Sequence, residues 1–96
     1  MNLKPEDLKI LTDIFQSYCP KAEIWAYGSR VNGESHDGSD LDLTVKSFND
    51  EGCNIFELRD IINNSNIPFL TDIFEFDKLP ESFQKEILKN YVVIFG

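Results

Sequence analysis

The chain has 96 residues, 42% of them apolar, with eight Phe, three Tyr and one Trp, so it has the bulk for one hydrophobic core and not for two. Seventeen acidic residues against nine Lys and Arg leave a net charge of −8, which disfavours phosphate backbones and anionic membranes, because both recruit basic surfaces. No run approaches the ~20 apolar residues of a membrane span. The N-terminus lacks a signal-peptide core, and Cys19 and Cys53 form no CxxC pair. The expectation is one cytoplasmic domain over residues 1–96 with reduced thiols.

In chain order, Leu8, Leu11, Ile14, Phe15 and Tyr18 recur at helical spacing. They predict a first helix, opened by Pro5 with Glu6 and Asp7 at its positive end and stopped by Cys19-Pro20. Residues 22–27 predict a strand. A polar, glycine-punctuated stretch follows from Gly28 to Ser39, with a short helix expected to start over residues 30–34. Residues 40–46 predict a second strand, with Leu41, Leu43 and Val45 on one face and Asp40, Asp42 and Thr44 on the other. Ile55, Leu58, Ile61 and Ile62 carry a helix over about 54–63, and Asn63 to Asn66 form a turn. Residues 68–76 predict a third strand. Pro80 opens a helix with Phe83, Ile87 and Leu88 inward and Asn90 as a left-handed stop, and Tyr91 to Phe95 close the chain as an apolar strand. This order predicts an α/β (α+β) fold, a small mixed β-sheet flanked by helices.

The chemistry is concentrated between Gly28 and Asp42. Gly28-Ser29 at a strand end lets backbone approach a ligand without a Cβ, and a helix starting there makes a phosphate cradle. Asp40 and Asp42, at i and i+2, emerge from one face of a strand. Two carboxylates about 4 Å apart repel by roughly 4 kcal/mol at an effective dielectric near 20. Such a pair is kept by protonation or by a divalent cation, and oxygen-only ligands select Mg²⁺ or Mn²⁺. Asp72, on the third strand between Leu70 and Phe74, is the third carboxylate a two-metal site needs, with Glu75 and Asp77 as poorer competitors at the strand's end.

Other chemistries lack their residues. His36 is the only histidine and no Cys or His ligands cluster, so zinc has no site. The segment Gly33-Glu34-Ser35-His36-Asp37 lacks the closing glycine of a hydrolase elbow, and no P-loop motif occurs. Ser35 and His36 are expected as loop or turn residues. Trp25 and Tyr27 are expected as core or pocket wall, and Asp13, Glu57, Asp60, Glu81 and Glu86 as solvated helix faces.

The pattern Gly28-Ser29-x3-Gly33-x-Ser35-x3-Ser39-Asp40-x-Asp42 resembles the signature of the DNA polymerase β-like nucleotidyltransferase superfamily, in its minimal (MNT) branch. Tyr27, Arg30, the Thr71-Asp72-Ile73 segment and the closing Tyr91-Val92-Val93-Ile94 match that branch too, so the resemblance spans nearly the whole chain. It implies a palm-like fold and nucleotidyl transfer from ATP with two Mg²⁺ ions, Mn²⁺ being the substitute. Asp40 and Asp42 would then bind both metals, and Asp72 the catalytic one while helping to deprotonate the acceptor. Gly28 and Ser29 would hold the β- and γ-phosphates, with Arg30 and Ser39 assisting. The resemblance further implies a HEPN-domain RNase toxin as partner, silenced by AMP added to a tyrosine, so that this chain is its antitoxin. Two other readings stand beside it: an idle module that inhibits its partner by binding alone, and a stand-alone transferase for a small molecule or RNA end.

Overall fold

Helix α1, Pro5–Tyr18, starts with proline in its first turn and buries Leu11 and Phe15 completely, as the spacing of its apolar residues requires. The computed structural model to which it belongs describes residues 1–33 and 40–96; Ser35, His36 and Ser39 lie outside the described residues. Strand β1 is Glu23–Tyr27, and a single helical turn, α2, Ser29–Asn32, follows it. Gly33 ends that turn in the left-handed conformation, φ 84°, with its N–H donated to the Ser29 carbonyl. Strand β2 is Leu41–Ser47, helix α3 Ile55–Asn63 and strand β3 Thr71–Glu75. A 3₁₀ turn over Phe76–Lys78 leads to helix α4, Glu81–Lys89, and strand β4, Tyr91–Phe95.

The four strands form one mixed sheet in the order β3-β2-β1-β4. β1 runs antiparallel to β2 and β4, whereas β2 and β3 are parallel, joined by the crossover through α3 that a parallel pair demands. α3 is capped by Asn54, whose side-chain oxygen accepts the Glu57 N–H at 2.9 Å. The Tyr18 hydroxyl ties α1 to this cap, accepting the Asn54 N–H at 2.9 Å and donating to Glu57 at 2.8 Å.

The sheet's two faces differ in kind. Ile24, Ala26, Leu41, Leu43, Val45 and Ile73 pack beneath α1 and α3, against Leu11, Phe15, Ile55, Leu58 and Ile62. The opposite face carries a smaller cluster of Trp25, Tyr27, Phe76 and Ile87 under α4, and beyond it Asp72 and Phe74 are exposed. Both cysteines are free, and burial pushes the Cys19 thiol up to about 11, with Cys53 adding to it. Among the described residues no helix is long and apolar enough to cross a membrane.

Four expectations need correcting. α4 buries Ile87 but leaves Phe83 and Leu88 43% and 51% exposed, because only one flank of the helix meets the sheet. Asn90 is extended, φ −159°, and leads straight into β4 instead of stopping the helix in a left-handed turn. The third strand is shorter than 68–76, since its ladder begins where Leu41 of β2 can pair with Thr71. Ile61 of α3 is likewise 37% exposed, its neighbours Leu58 and Ile62 taking the buried positions.

Phe15 touches the Phe95 ring at 5.5 Å and anchors α1 to the sheet. Phe15→Ala is expected to cost about 3–5 kcal/mol in urea unfolding. Leu70→Ala, at a position 71% exposed, is expected to change stability by no more than about 0.5 kcal/mol.

Candidate functional site

Register assembles the site. Tyr27 of β1 pairs with Asp42 of β2, and Asp42 pairs with Asp72 of β3. Neighbouring strands lie about 4.8 Å apart and side chains alternate between faces, so these three project side by side from the open face. Asp40 stands exposed just before β2, two residues from Asp42. The expected Asp40/Asp42/Asp72 set is thus brought to one end of one sheet face.

The face around Asp72 is not the apolar surround that its sequence neighbours suggested. Leu70 is 71% and Phe74 44% exposed, and Asp72 itself is exposed. An acid there needs no buried partner. The constraint is repulsion between carboxylates, and it shows at Asp42. Partial burial, then Asp72, then Asp40 push the Asp42 carboxyl above its ordinary range. Burial, Asp42 and Asp72 likewise push the Tyr27 phenol up to about 12, so it remains a neutral hydroxyl beside the acids. Among the described residues, the four ion pairs join Lys9 to Asp13, Lys78 to Glu75, Lys85 to Glu81 and Lys89 to Glu86, and none draws on the three aspartates.

Gly28 is required here by both conformation and space. Its φ is 82°, and a Cβ at this position would lie 2.5 Å from Asp42 Oδ2. The backbone entering α2 therefore rests against the Asp42 carboxylate, with half-buried Ser29 next in the chain. Arg30 is placed differently from its neighbours. It is 4% exposed, its guanidinium donates to the Asn2 carbonyl at 2.8 Å and lies 4.2 Å from the Phe69 ring centre, and the Asn2 N–H bonds back to the Arg30 carbonyl. It fastens α2 to the N-terminus and to the loop before β3. Ser39 lies outside the described residues.

The donor set suits a hard cation: all oxygen, anionic and strained by mutual repulsion. In the arrangement seen, however, no three His, Cys, Asp or Glu side chains among the described residues converge as a ready metal-holding group. The carboxylates share a neighbourhood through their charge without closing on a point.

One residue of this face escaped the sequence reading, and another has a second role. Tyr27 is core, as expected, and also shares a rung with Asp42. Lys46, two alternations along β2, lays its ammonium 5.1 Å from the Phe76 ring and 5.9 Å from the Trp25 ring, placing a positive charge on the acidic face. Strand alternation from Asp42 was the signal for Lys46, while Tyr27 needed the register.

Three similarities bear on this geometry. A family model described as Polymerase beta, Nucleotidyltransferase matches residues 9–96. The chain is 34% identical over 97 residues to a protein of Haemophilus influenzae named probable protein adenylyltransferase MntA, a match covering 98% of this chain and 83% of that protein. It is similar in fold, with a TM-score of 0.69 and 18% identity, to a chain in a crystal structure of a toxin–antitoxin with AMP-PNP, over 93% of this chain and 73% of that one.

Replacing Asp42 by Asn tests the repulsion. A carboxyl whose folded-state pKa is raised binds its proton more tightly in the folded protein. Its stabilising contribution is complete below the ordinary value and is lost as pH rises through the raised one. Without divalent cations, Asp42→Asn is therefore expected to melt at a higher temperature than the parent at pH 7, the gain shrinking as the pH is lowered. A lower melting temperature at pH 7 would contradict the repulsion.

Proposed function

The chain belongs to the polymerase beta nucleotidyltransferase family, and on that premise we propose that it transfers AMP from ATP to a protein hydroxyl, a tyrosine of a HEPN RNase toxin, so acting as an antitoxin. The observation that carries this reading is the in-register pair Asp42 and Asp72 on an open sheet face, with Asp40 beside it and Gly28 packed against the Asp42 carboxylate.

Asp40, Asp42 and Asp72 would hold two Mg²⁺ ions once their side chains turn toward a common point. Such ions offset the charge that in-line displacement builds on the entering and leaving oxygens. Asp72, exposed on the outer strand of the sheet, takes the proton of the acceptor hydroxyl. Gly28 and Ser29 line the approach of the β- and γ-phosphates. Arg30 contributes through α2, which it fixes in place, more than by direct contact.

The surface supports a protein as the acceptor. A net charge of −8 disfavours a nucleic-acid primer, and exposed Leu70 and Phe74 flank Asp72 with apolar surface suited to a protein. The name of the Haemophilus influenzae relative and the toxin–antitoxin composition of the similar structure agree with a toxin as that protein. With ATP as substrate and an RNase as partner, the proposed pair is cytoplasmic. The open spacing of the carboxylates favours one second reading, inhibition of the toxin by binding without catalysis. That reading expects the double variant Asp40→Asn with Asp42→Asn to neutralise the toxin as well as the parent does.

The deciding experiment incubates the chain with ATP, Mg²⁺ and its partner toxin and weighs the partner intact. One adenylyl group on a tyrosine is expected, and Asp72→Asn should slow its appearance by about 10²-fold or more. No adduct from a properly folded pair would overturn the transferase reading.

A further inference from the structure

Along the sheet face that carries the aspartates, the charge changes sign. One rung holds Tyr27, Asp42 and Asp72, the next holds Trp25, Thr44 and Phe74, and beyond it Lys46 lies over the Phe76 and Trp25 rings. Successive residues on one face of a strand are about 6.6 Å apart, which puts Lys46 roughly 13 Å from Asp42. At the outer edge of the same region, between α3 and β3, lies a cleft of about 180 Å³ lined by Phe56, Arg59, Phe74 and Lys78, with Glu75 the one carboxylate in its lining among the described residues. The Arg59 guanidinium donates to the Ile73 carbonyl at 2.7 Å and lies 5.6 Å from the centre of the Phe56 ring and 5.5 Å from that of Phe74. It is thus a planar fork held in place with donors to spare, and among the described residues no carboxylate forms an ion pair with it. Lys78 pairs with Glu75 at 3.1 Å, but its side chain is 73% exposed, and so exposed a pair is weak enough to yield the ammonium to another carboxylate.

From this juxtaposition we propose that the cleft and Lys46 form the docking site for an acidic segment of the acceptor protein, which seats a carboxylate on Arg59 and Lys78 while its hydroxyl lies over Asp72. This names a recognition feature of the substrate, so it deepens the transferase reading and rests on it. Charge complementarity chooses the occupant. On a chain of net charge −8, the three cations Lys46, Arg59 and Lys78 gather on one side of the aspartates, where a second copy of this acidic chain or a nucleic acid would still meet repulsion from the remainder. The volume is below the ~300–1,000 Å³ typical of small-molecule pockets and suits a single side chain. A guanidinium already fixed by a carbonyl and two rings meets a carboxylate in the bidentate geometry that arginine favours. Exposed Phe56 and Phe74 add apolar rims, and aromatic rings beside an arginine are the residue types that carry most binding energy at protein interfaces. Phe74 also links the cleft to the chemistry, being the next residue after Asp72 on the same face of β3.

Calorimetric titration of the partner toxin with the full chain, together with transfer rates at varied toxin and varied ATP, tests the assignment. Lys78→Glu, at an exposed side chain, and Arg59→Gln are each expected to weaken toxin binding about 10-fold or more, raising KM for the toxin and leaving kcat and KM for ATP unchanged. Lys78→Arg should keep the parent affinity. Lys85→Glu makes the same charge change on exposed α4 surface outside the cleft and should alter neither constant. Toxin binding as tight in Lys78→Glu and Arg59→Gln as in the parent overturns the docking site and spares the transferase. Equal weakening by Lys85→Glu overturns it in favour of a general charge effect, and a raised KM for ATP with toxin affinity intact overturns it in favour of a phosphate contact. Weakened binding by both cleft variants, with no adduct from the parent, supports the docking site and overturns the transferase. No binding of the toxin by the parent overturns both.

Discussion

Parallel pairing of β2 with β3 forces two carboxylates, Asp42 and Asp72, onto one rung of the sheet, and much of the structure serves to make that arrangement tenable. A folded chain does not gain stability from like charges side by side; burial first, and then Asp72 and Asp40, push the Asp42 carboxyl above its ordinary range. Gly28 gives the carboxylate room by lacking a Cβ, and the positive φ it adopts is one that other residues resist. Arg30, the buried residue of α2, holds that helical turn in position. Residues that look like parts of one short motif thus divide their labour between making space, carrying charge and anchoring backbone.

The cost of that rung is met on the other side of the sheet. There α1 and α3 bury a continuous apolar layer, and α3 also supplies the crossover that makes β2 and β3 parallel. The open face is only partly covered: α4 commits one residue, Ile87, and the 3₁₀ turn commits Phe76, both against Trp25 and Tyr27. Loose cover at one end leaves a cavity beside Gly28, and absence of cover at the other leaves Asp72 accessible between exposed apolar residues. The proposed transfer, which admits both a nucleotide and a protein side chain, needs such a face.

Where a segment carries its own periodicity, its sequence was enough. The Leu11/Phe15 stripe of α1 and the alternation of Leu41, Leu43 and Val45 are local signals, and the structure places them as expected. Misplacements arose where burial depends on a distant element. Phe83 and Leu88 have helical spacing, but a sequence window does not show that α4 meets the sheet along a single flank. Asp72 stood out by its residue type, whereas its surroundings were misjudged because Leu70 and Phe74 are apolar without being covered. Arg30 follows Gly28-Ser29 directly, and the contact that turns it away, with Phe69, spans most of the chain's middle. Tyr27 precedes Gly28 in the chain, but its rung with Asp42 comes from strand register, which no single sequence displays.

The central claim is that the repelling carboxylates form a cation site and are not a tolerated flaw. Titrating the chain with Mn²⁺ in the presence of ATP, and following the enhancement of water-proton relaxation by the bound ion, tests it most directly. The account predicts saturable binding by the parent chain and its loss in Asp42→Asn with Asp72→Asn, while that variant remains folded. Equal binding by parent and variant, or no saturable binding by the parent, would contradict it.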